Sequence, residues 1–222
     1  MLLYLARHGE TDANASGLVQ GRGLNPPLNA AGRAQAAALA ARLADVGLAA
    51  VFTSTQRRSI ETAAPVLAGR PSVAGRPRAG LDEMHWGAHE GRGYTPDAGD
   101  AEMAAAYARL NVRWSAGETG VAPEGGESPD AVWARLRPVL DEMLAAGGAV
   151  LAVSHRRLSR ILVAGLLPDA PGRPAGLARM LHFPLANAAV TLLDLPDGAA
   201  VPERGGLAGA RIASANDASH LG

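Results

Sequence analysis

Residues 2–11 read Leu2-Leu3-Tyr4-Leu5-Ala6-Arg7-His8-Gly9-Glu10-Thr11, and this stretch decides the fold. The apolar run through Ala6 has no polar alternation, as expected of a strand buried on both faces. Its abrupt change to Arg-His-Gly-Glu marks the strand's carboxyl edge. Residues 149–153 repeat the pattern: Ala-Val-Leu-Ala-Val runs straight into Ser154 and His155. A third short strand is predicted at 51–53. Between these lie helical stretches. Residues 30–46 are rich in Ala and Leu and stop at Gly47. Residues 57–68 end near Gly69, with Pro65 in the last turns. Residues 129–146 carry Ser128 as N-cap and Gly147 as stop. Helices are also predicted at 101–114 and 157–167, and strands at 188–195 and 210–213 that pair across the loop 196–209. Residues 69–80 and 116–127 read as loops, and 81–100 as irregular. Strands alternating with helices predict a three-layer α/β/α fold with a mostly parallel central sheet. The chain reads as one domain, 1–222, with a variable lid or insertion at about 84–125. Ligands of such sheets bind beyond the carboxyl ends of the strands, where two of these strands deliver a histidine.

Composition narrows the chemistry. Of the 222 residues 48% are hydrophobic but only 4% aromatic, so the core must be built mainly from Ala, Leu and Val. The formal charge is zero, which argues against nucleic-acid or anionic-membrane partners bound by broad electrostatics. All 21 basic residues are Arg. Without Lys there is no Walker-type phosphate loop, no Schiff-base lysine and no Lys general base. Without Cys there are no disulfides, thiolate nucleophiles or Cys-ligated zinc. The apolar start, 1–6, is too short for a signal peptide, and no run reaches membrane-spanning length; the expectation is a soluble, cytoplasmic protein. The sequence carries no signal of oligomeric state.

Arginine and histidine in this setting suit phosphoryl chemistry. The guanidinium fork matches phosphate oxygens and stays charged, and a neutral imidazole held in one tautomer is a nucleophile. The neighbours of His8 sharpen that reading. After Arg7-His8-Gly9-Glu10-Thr11 come Asn14, Gln20-Gly21, Pro27-Leu28 and Gly32-Arg33-Ala34-Gln35-Ala36. Then follow Ser54-Thr55-Gln56-Arg57-Arg58-Ser59-Ile60-Glu61-Thr62-Ala63, Leu81-Asp82-Glu83 with Gly87 and Glu90-Gly91, Gly126-Glu127-Ser128, Val153-Ser154-His155, and Asn187 before 190–193. In order and approximate spacing these blocks resemble the histidine phosphatase (phosphoglycerate mutase-like) superfamily. The match covers most of the chain and is weakest at 92–122 and 196–215.

The resemblance implies a phosphatase of small phosphorylated metabolites that needs no metal or other cofactor. His8 would attack phosphorus and form a phosphohistidine, while Arg7, Arg58 and His155 hold the equatorial oxygens. Glu83 would protonate the leaving oxygen and then activate water, two tasks that call for a raised carboxyl pKa. Asn14, Gln20, the Gly21 backbone, Ser154 and Arg156 are the candidate substrate-binding residues. Arg57 is expected on the helix surface, and Glu127 in a structural hydrogen bond. His85 and His89, four apart, are not expected to bind metal, because Gly87 weakens the helix such a pair needs. Trp86 is read as pocket wall or core.

Some positions depart from the family pattern. Arg156-Arg157 follows the second histidine where Gly is usual, so Arg156 either faces the pocket or turns away to pair at the surface. Asn25, Ser59 and Glu61 stand where Asp, Ala and Gln are common. Substrate choice is expected to come from 84–125, where Tyr94, Tyr107, Arg109, Arg113 and Trp114 are candidates to line a lid. Two other activities stay open: cofactor-dependent mutase-type transfer, and a catalytically quiet phospho-ligand binder. Against the mutase stands Glu83-Met84-His85-Trp86-Gly87 where mutases typically read Glu-Arg-His-Tyr-Gly.

Overall fold

The computed structural model describes residues 1–98, 100–172, 174–203 and 206–222. Residue 99, in the expected lid, and residues 204 and 205, in the loop 196–209, therefore lie outside the described residues. The strands are β1 (Leu2–Arg7), β2 (Leu48–Thr53), β3 (Gly75–Pro77), β4 (Ala149–Ser154), β5 (Val190–Asp194) and β6 (Arg211–Asp217). They form one sheet in the order β3-β2-β4-β1-β5-β6. The pairings β1–β4, β2–β4 and β2–β3 are parallel, whereas β1–β5 and β5–β6 are antiparallel. The helices are α1 (Asp12–Ala15), α2 (Ala30–Arg42), α3 (Arg57–Ala68), α4 (Ala101–Ser115), α5 (Pro129–Ala146) and α6 (Arg156–Leu166). None among the described residues is long and apolar enough to cross a membrane.

The two-residue period of the strands sorts the core into two layers. Leu3 and Leu5 of β1, Ala50 and Phe52 of β2, and Val150 and Ala152 of β4 point to one face. There they meet Leu136 and Leu140 of α5 and Leu158, Ile161 and Leu162 of α6. Ala6, Val51, Leu151 and Val153 point the other way, to Leu39 of α2 and Ala63 and Val66 of α3. Both faces of the sheet are thus covered, the arrangement that the unbroken apolar runs predicted. Aliphatic side chains dominate, but Trp86, Trp114 and Trp133 are all buried in the first layer.

Where the sequence misled, the cause is local. Strand β3 falls within the expected loop 69–80, because Gly75 and Pro77 are poor strand formers. It lies at the sheet edge, where an absent N–H costs nothing. Helix α1 is a single turn, held by a capping box in which Thr11 accepts the Asn14 N–H and the Asn14 side chain accepts that of Thr11. Helix α2 stops at Arg42, short of the expected 46, and Arg70 donates to the freed carbonyls of Leu43, Ala44 and Val46. The caps of α5 are as predicted, with Ser128 accepting the Ala131 N–H and Gly147 at φ +64°.

Candidate active site

Parallel neighbours β1 and β4 run in a register that pairs Arg7 with Ser154, so the residues that follow, His8 and His155, emerge side by side. Their ring centroids are 5.1 Å apart. The chain leaves β1 towards α2 on one face and leaves β4 towards α6 on the other. A crevice opens where such connections diverge. Here it is a cleft lined by Arg7, His8, Asn14, Gln20, Gly21, Arg58, Glu83, Trp86, Tyr94, Tyr107, Arg156, Arg157 and Arg160, with Leu18 and Val19.

Small residues let the nucleophile turn pack tightly. A Cβ on Gly9 would sit 2.6 Å from the carbonyl oxygen of Gly32, and one on Gly32 would sit 2.1 Å from that of Glu10. The start of α2 therefore packs backbone against backbone beneath His8. Thr62 of α3 completes the clamp, accepting the Gly9 N–H at 2.9 Å and donating to the Arg58 carbonyl. The Asn187 side-chain amide donates to the His8 carbonyl and to Asn14 Oδ1.

His8 is 3% exposed. Its Nδ1 lies 2.7 Å from the Gly9 carbonyl oxygen. A carbonyl can only accept, so Nδ1 carries the proton and Nε2 keeps its lone pair. Burial above all, then the charges of Arg58 and Arg7, hold the His8 pKa well below the usual imidazole value. The group is neutral at physiological pH and has one nucleophilic nitrogen.

Arg58, fully buried, donates through Nη2 to the Gly21 carbonyl and Gln56 Oε1, through Nη1 to the Leu24 carbonyl and through Nε to His155 Nδ1. Arg7 donates to the Leu185 carbonyl, and its buried Nε has no partner. Burial lowers both guanidinium pKa values to about 10. Gly21 adopts φ +55°, and a Cβ there would lie 1.9 Å from Glu90 Oε1. Glu90 uses that closeness, accepting the N–H groups of Arg22, Gly23 and Trp86, and so ties the Gln20-Gly21 loop to the Glu83 segment. Glu83 accepts three backbone N–H groups: those of Met84 and Leu158 at Oε1 and that of Arg157 at Oε2. Two of these belong to the first turn of α6, so the carboxyl group is oriented by a helix N-terminus.

The structure brings His8, Arg7, Arg58, Glu83, Asn14, Gln20, Gly21 and Arg156 to one cleft. Ser154 and His155 do not line it. The Ser154 hydroxyl is committed to the Leu81 carbonyl. His155 stands behind Arg58, with Nε2 donating to Ser54 at 2.7 Å and Nδ1 accepting from Arg58. Arg156 faces Tyr94 in the cleft wall, its Nη1 donating to the phenol oxygen at 3.2 Å. Arg57 is exposed and paired with Glu61, and Glu127 accepts the His85 N–H and pairs with Arg135. The family departures have local partners. Asn25 accepts the Arg57 N–H, Ser59 donates to the Val153 carbonyl, and Glu61 accepts the Leu28 N–H.

The lid candidates divide. Tyr94 and Tyr107 line the cleft, whereas Trp114 is fully buried in the core and donates to the Val121 carbonyl. Arg113 pairs with Glu118, and Arg109 lines a separate shallow groove with His89. Sequence reasoning missed Arg157 and Arg160 as cleft residues. The signal was present in the helix period, since 156 and 160 share a face of α6. Among the described residues no cluster of three or more His, Cys, Asp or Glu side chains could hold a metal ion.

Burial of the two site histidines carries a stability consequence. For His155, as for His8, burial is the main cause of a pKa well below normal, followed by Arg58. Both are neutral in the folded protein and titrate near 6.5 once unfolded. The stability they contribute is complete above about pH 6.5. It falls as pH drops below that, by up to about 1.4 kcal/mol per pH unit for each histidine. Urea melts at pH 7.5, 6.0 and 5.0 should show this decline, and a flat midpoint would contradict two buried neutral histidines.

Comparison with known proteins finds relatives over most of the chain. The family model described as the histidine phosphatase superfamily (branch 1) matches residues 3–205. A glucosyl-3-phosphoglycerate phosphatase of Mycobacterium tuberculosis is 34% identical over 175 residues, covering 74% of each chain. An adenosylcobalamin/alpha-ribazole phosphatase of Salmonella typhimurium is 32% identical over 200 residues, covering 89% of this chain and 92% of its own. The structure of the mycobacterial glucosyl-3-phosphoglycerate phosphatase with VO3 superposes with a TM-score of 0.78 at 28% identity, covering 97% of this chain and 99% of that one.

Proposed function

The chain belongs to the histidine phosphatase superfamily, branch 1, and from that membership and the cleft geometry we propose that it hydrolyses a small phosphomonoester through a phosphohistidine on His8. The observation that carries the proposal is the His8 tautomer. Nδ1–H is committed to Gly9, leaving the Nε2 lone pair in a cleft lined by Arg7 and Arg58. Nε2 attacks phosphorus, the bond to the ester oxygen breaks, and Glu83 gives its proton to the departing alkoxide. Water then attacks the phosphohistidine and passes a proton to the Glu83 carboxylate. Inorganic phosphate leaves, and His8 is regenerated. Arg7 and Arg58 neutralise the equatorial oxygens through both steps. His155 holds Arg58 in place. The relatives named above act on phosphorylated metabolites, which supports a substrate of the same size.

Phosphate release from p-nitrophenyl phosphate in EDTA tests the proposal. Release supports it. Phosphate labelling of His8 without release would favour a mutase, and neither would favour a quiet binder. Glu83→Gln should slow an alkyl phosphate by about 10²–10⁴-fold. It should slow p-nitrophenyl phosphate far less, because nitrophenolate leaves without a proton. Equal losses on both substrates would remove Glu83 from the acid role.

A further inference from the structure

The cleft holds more positive charge than one phosphoryl group needs. Arg7, Arg58, Arg156, Arg157 and Arg160 line it, with Glu83 the sole carboxylate among the lining residues. A phosphoryl dianion neutralises two of these five charges, and Glu83 none while it carries the proton it donates. Elsewhere several arginines meet a carboxylate: Arg78 with Glu142, Arg92 with Asp100, Arg135 with Glu127 and Arg211 with Asp194. Among the described residues, none of the five cleft arginines has a carboxylate within ion-pair distance.

The surplus cations sit on the first turns of α6 and are held in place. Arg157 is 3% exposed. It is boxed by Trp86, Tyr107 and Trp114 at 5.0–5.5 Å from their centroids. Its Nη2 donates to the Tyr107 hydroxyl and to Asn111, yet its buried Nη1 has no partner. Arg156 donates to the Tyr94 hydroxyl and lies 5.8 Å from that ring's centroid. Arg160 is anchored by one bond, Nε to the Phe183 carbonyl. Burial, and then the neighbouring charges of Arg156 and Arg157, lower its pKa to about 10. Buried Arg179, away from the cleft, shows the alternative: it is satisfied by the carbonyls of Ala164, Leu167 and Pro168 and by Asp169. A preorganised, unsatisfied group of cations is a site for an anion.

We propose that Arg156, Arg157 and Arg160, with Tyr94, form a second anion subsite, so that the preferred substrate carries a carboxylate or a second phosphate beyond the transferred phosphoryl group. This rests on the phosphatase reading and names its substrate class.

Two matched pairs test it. One is 3-phosphoglycerate against glycerol 3-phosphate, and the other is fructose 1,6-bisphosphate against fructose 6-phosphate. In at least one pair the doubly anionic ester should show about tenfold or greater advantage in kcat/KM, carried mainly by KM. Preference in the first pair alone assigns a carboxylate, and in the second alone a phosphate. Arg156→Gln should bring the ratio towards one. Ratios near one in both pairs for the native enzyme, or ratios unchanged in both Arg156→Gln and Arg160→Gln, would overturn the subsite. Calorimetric binding of the same pairs to His8→Ala reads the preference without turnover. Failure to release phosphate from p-nitrophenyl phosphate would sink the phosphatase reading. Failure of the calorimetric preference would sink the subsite.

Discussion

His8→Ala is expected to abolish phosphate release, with a loss on the order of 10⁴–10⁶-fold in kcat. Phosphate entering such a variant would still meet Arg7 and Arg58 but would have no nitrogen to accept the phosphoryl group. The side chain is buried in a turn where Gly9 and Gly32 pack backbone against backbone. Its truncation removes one hydrogen bond, to the Gly9 carbonyl, whose net worth is about 1 kcal/mol. The variant should therefore fold and still bind inorganic phosphate. Single-turnover release and phosphate titration together check this. Release within tenfold of the native rate would exclude the phosphohistidine.

Arg58→Ala is expected to lower kcat/KM by about 10²–10³-fold, the usual cost of removing one strong transition-state donor. Stability should change much less than activity, because two large effects oppose each other. Losing the guanidinium strips buried His155 Nδ1 of its donor, at about 1–3 kcal/mol, and takes one of two donors from the Gly21 and Leu24 carbonyls, which Gln56 Nε2 also reaches. Against this, a fall in the Arg58 pKa from 12.5 to about 10 means that the folded site bears a cost of about 3 kcal/mol for holding that charge. The balance should lie within about 2 kcal/mol of zero. Thermal melts beside steady-state kinetics separate the two quantities. A collapse of the fold with the activity would show that Arg58 is kept for structure, not for the phosphoryl group. Arg58→Lys restores the charge without the planar fork and should recover only part of the loss.

The site was legible in the sequence to the extent that its residues lie in contiguous blocks. Arg7-His8-Gly9 and Val153-Ser154-His155 each follow an apolar run, and that alone placed two histidines at one sheet edge. Arg58 was separable from Arg57 by the block's spacing, and the helix period agrees, since Arg58 faces the cleft while Arg57 meets solvent and Glu61. The 84–125 stretch was not legible in this way. Tyr107 and Trp114 lie seven apart on the same face of α4, and only packing decides that the first reaches the cleft while the second enters the core.

By itself, the sequence determined the layered α/β fold, the two strand-end histidines, the buried arginine of α3 and the absence of Lys and Cys chemistry. The fold, the histidines and the missing chemistries follow from apolar runs and residue inventory, and the choice of Arg58 from the resemblance to the family's second block. Tertiary structure alone decided which nitrogen of His8 keeps its lone pair, that His155 stands behind Arg58, and that Glu83 is oriented by the first turn of α6. It also decided that three arginines of that helix meet Tyr94 and Tyr107 across the cleft. Except for the His8–Gly9 bond, these depend on hydrogen bonds between residues 37 to 97 positions apart. No local period encodes them: the register of β1 against β4 sets His8 beside His155, and the packing of α3, α4 and α6 around that edge supplies the rest.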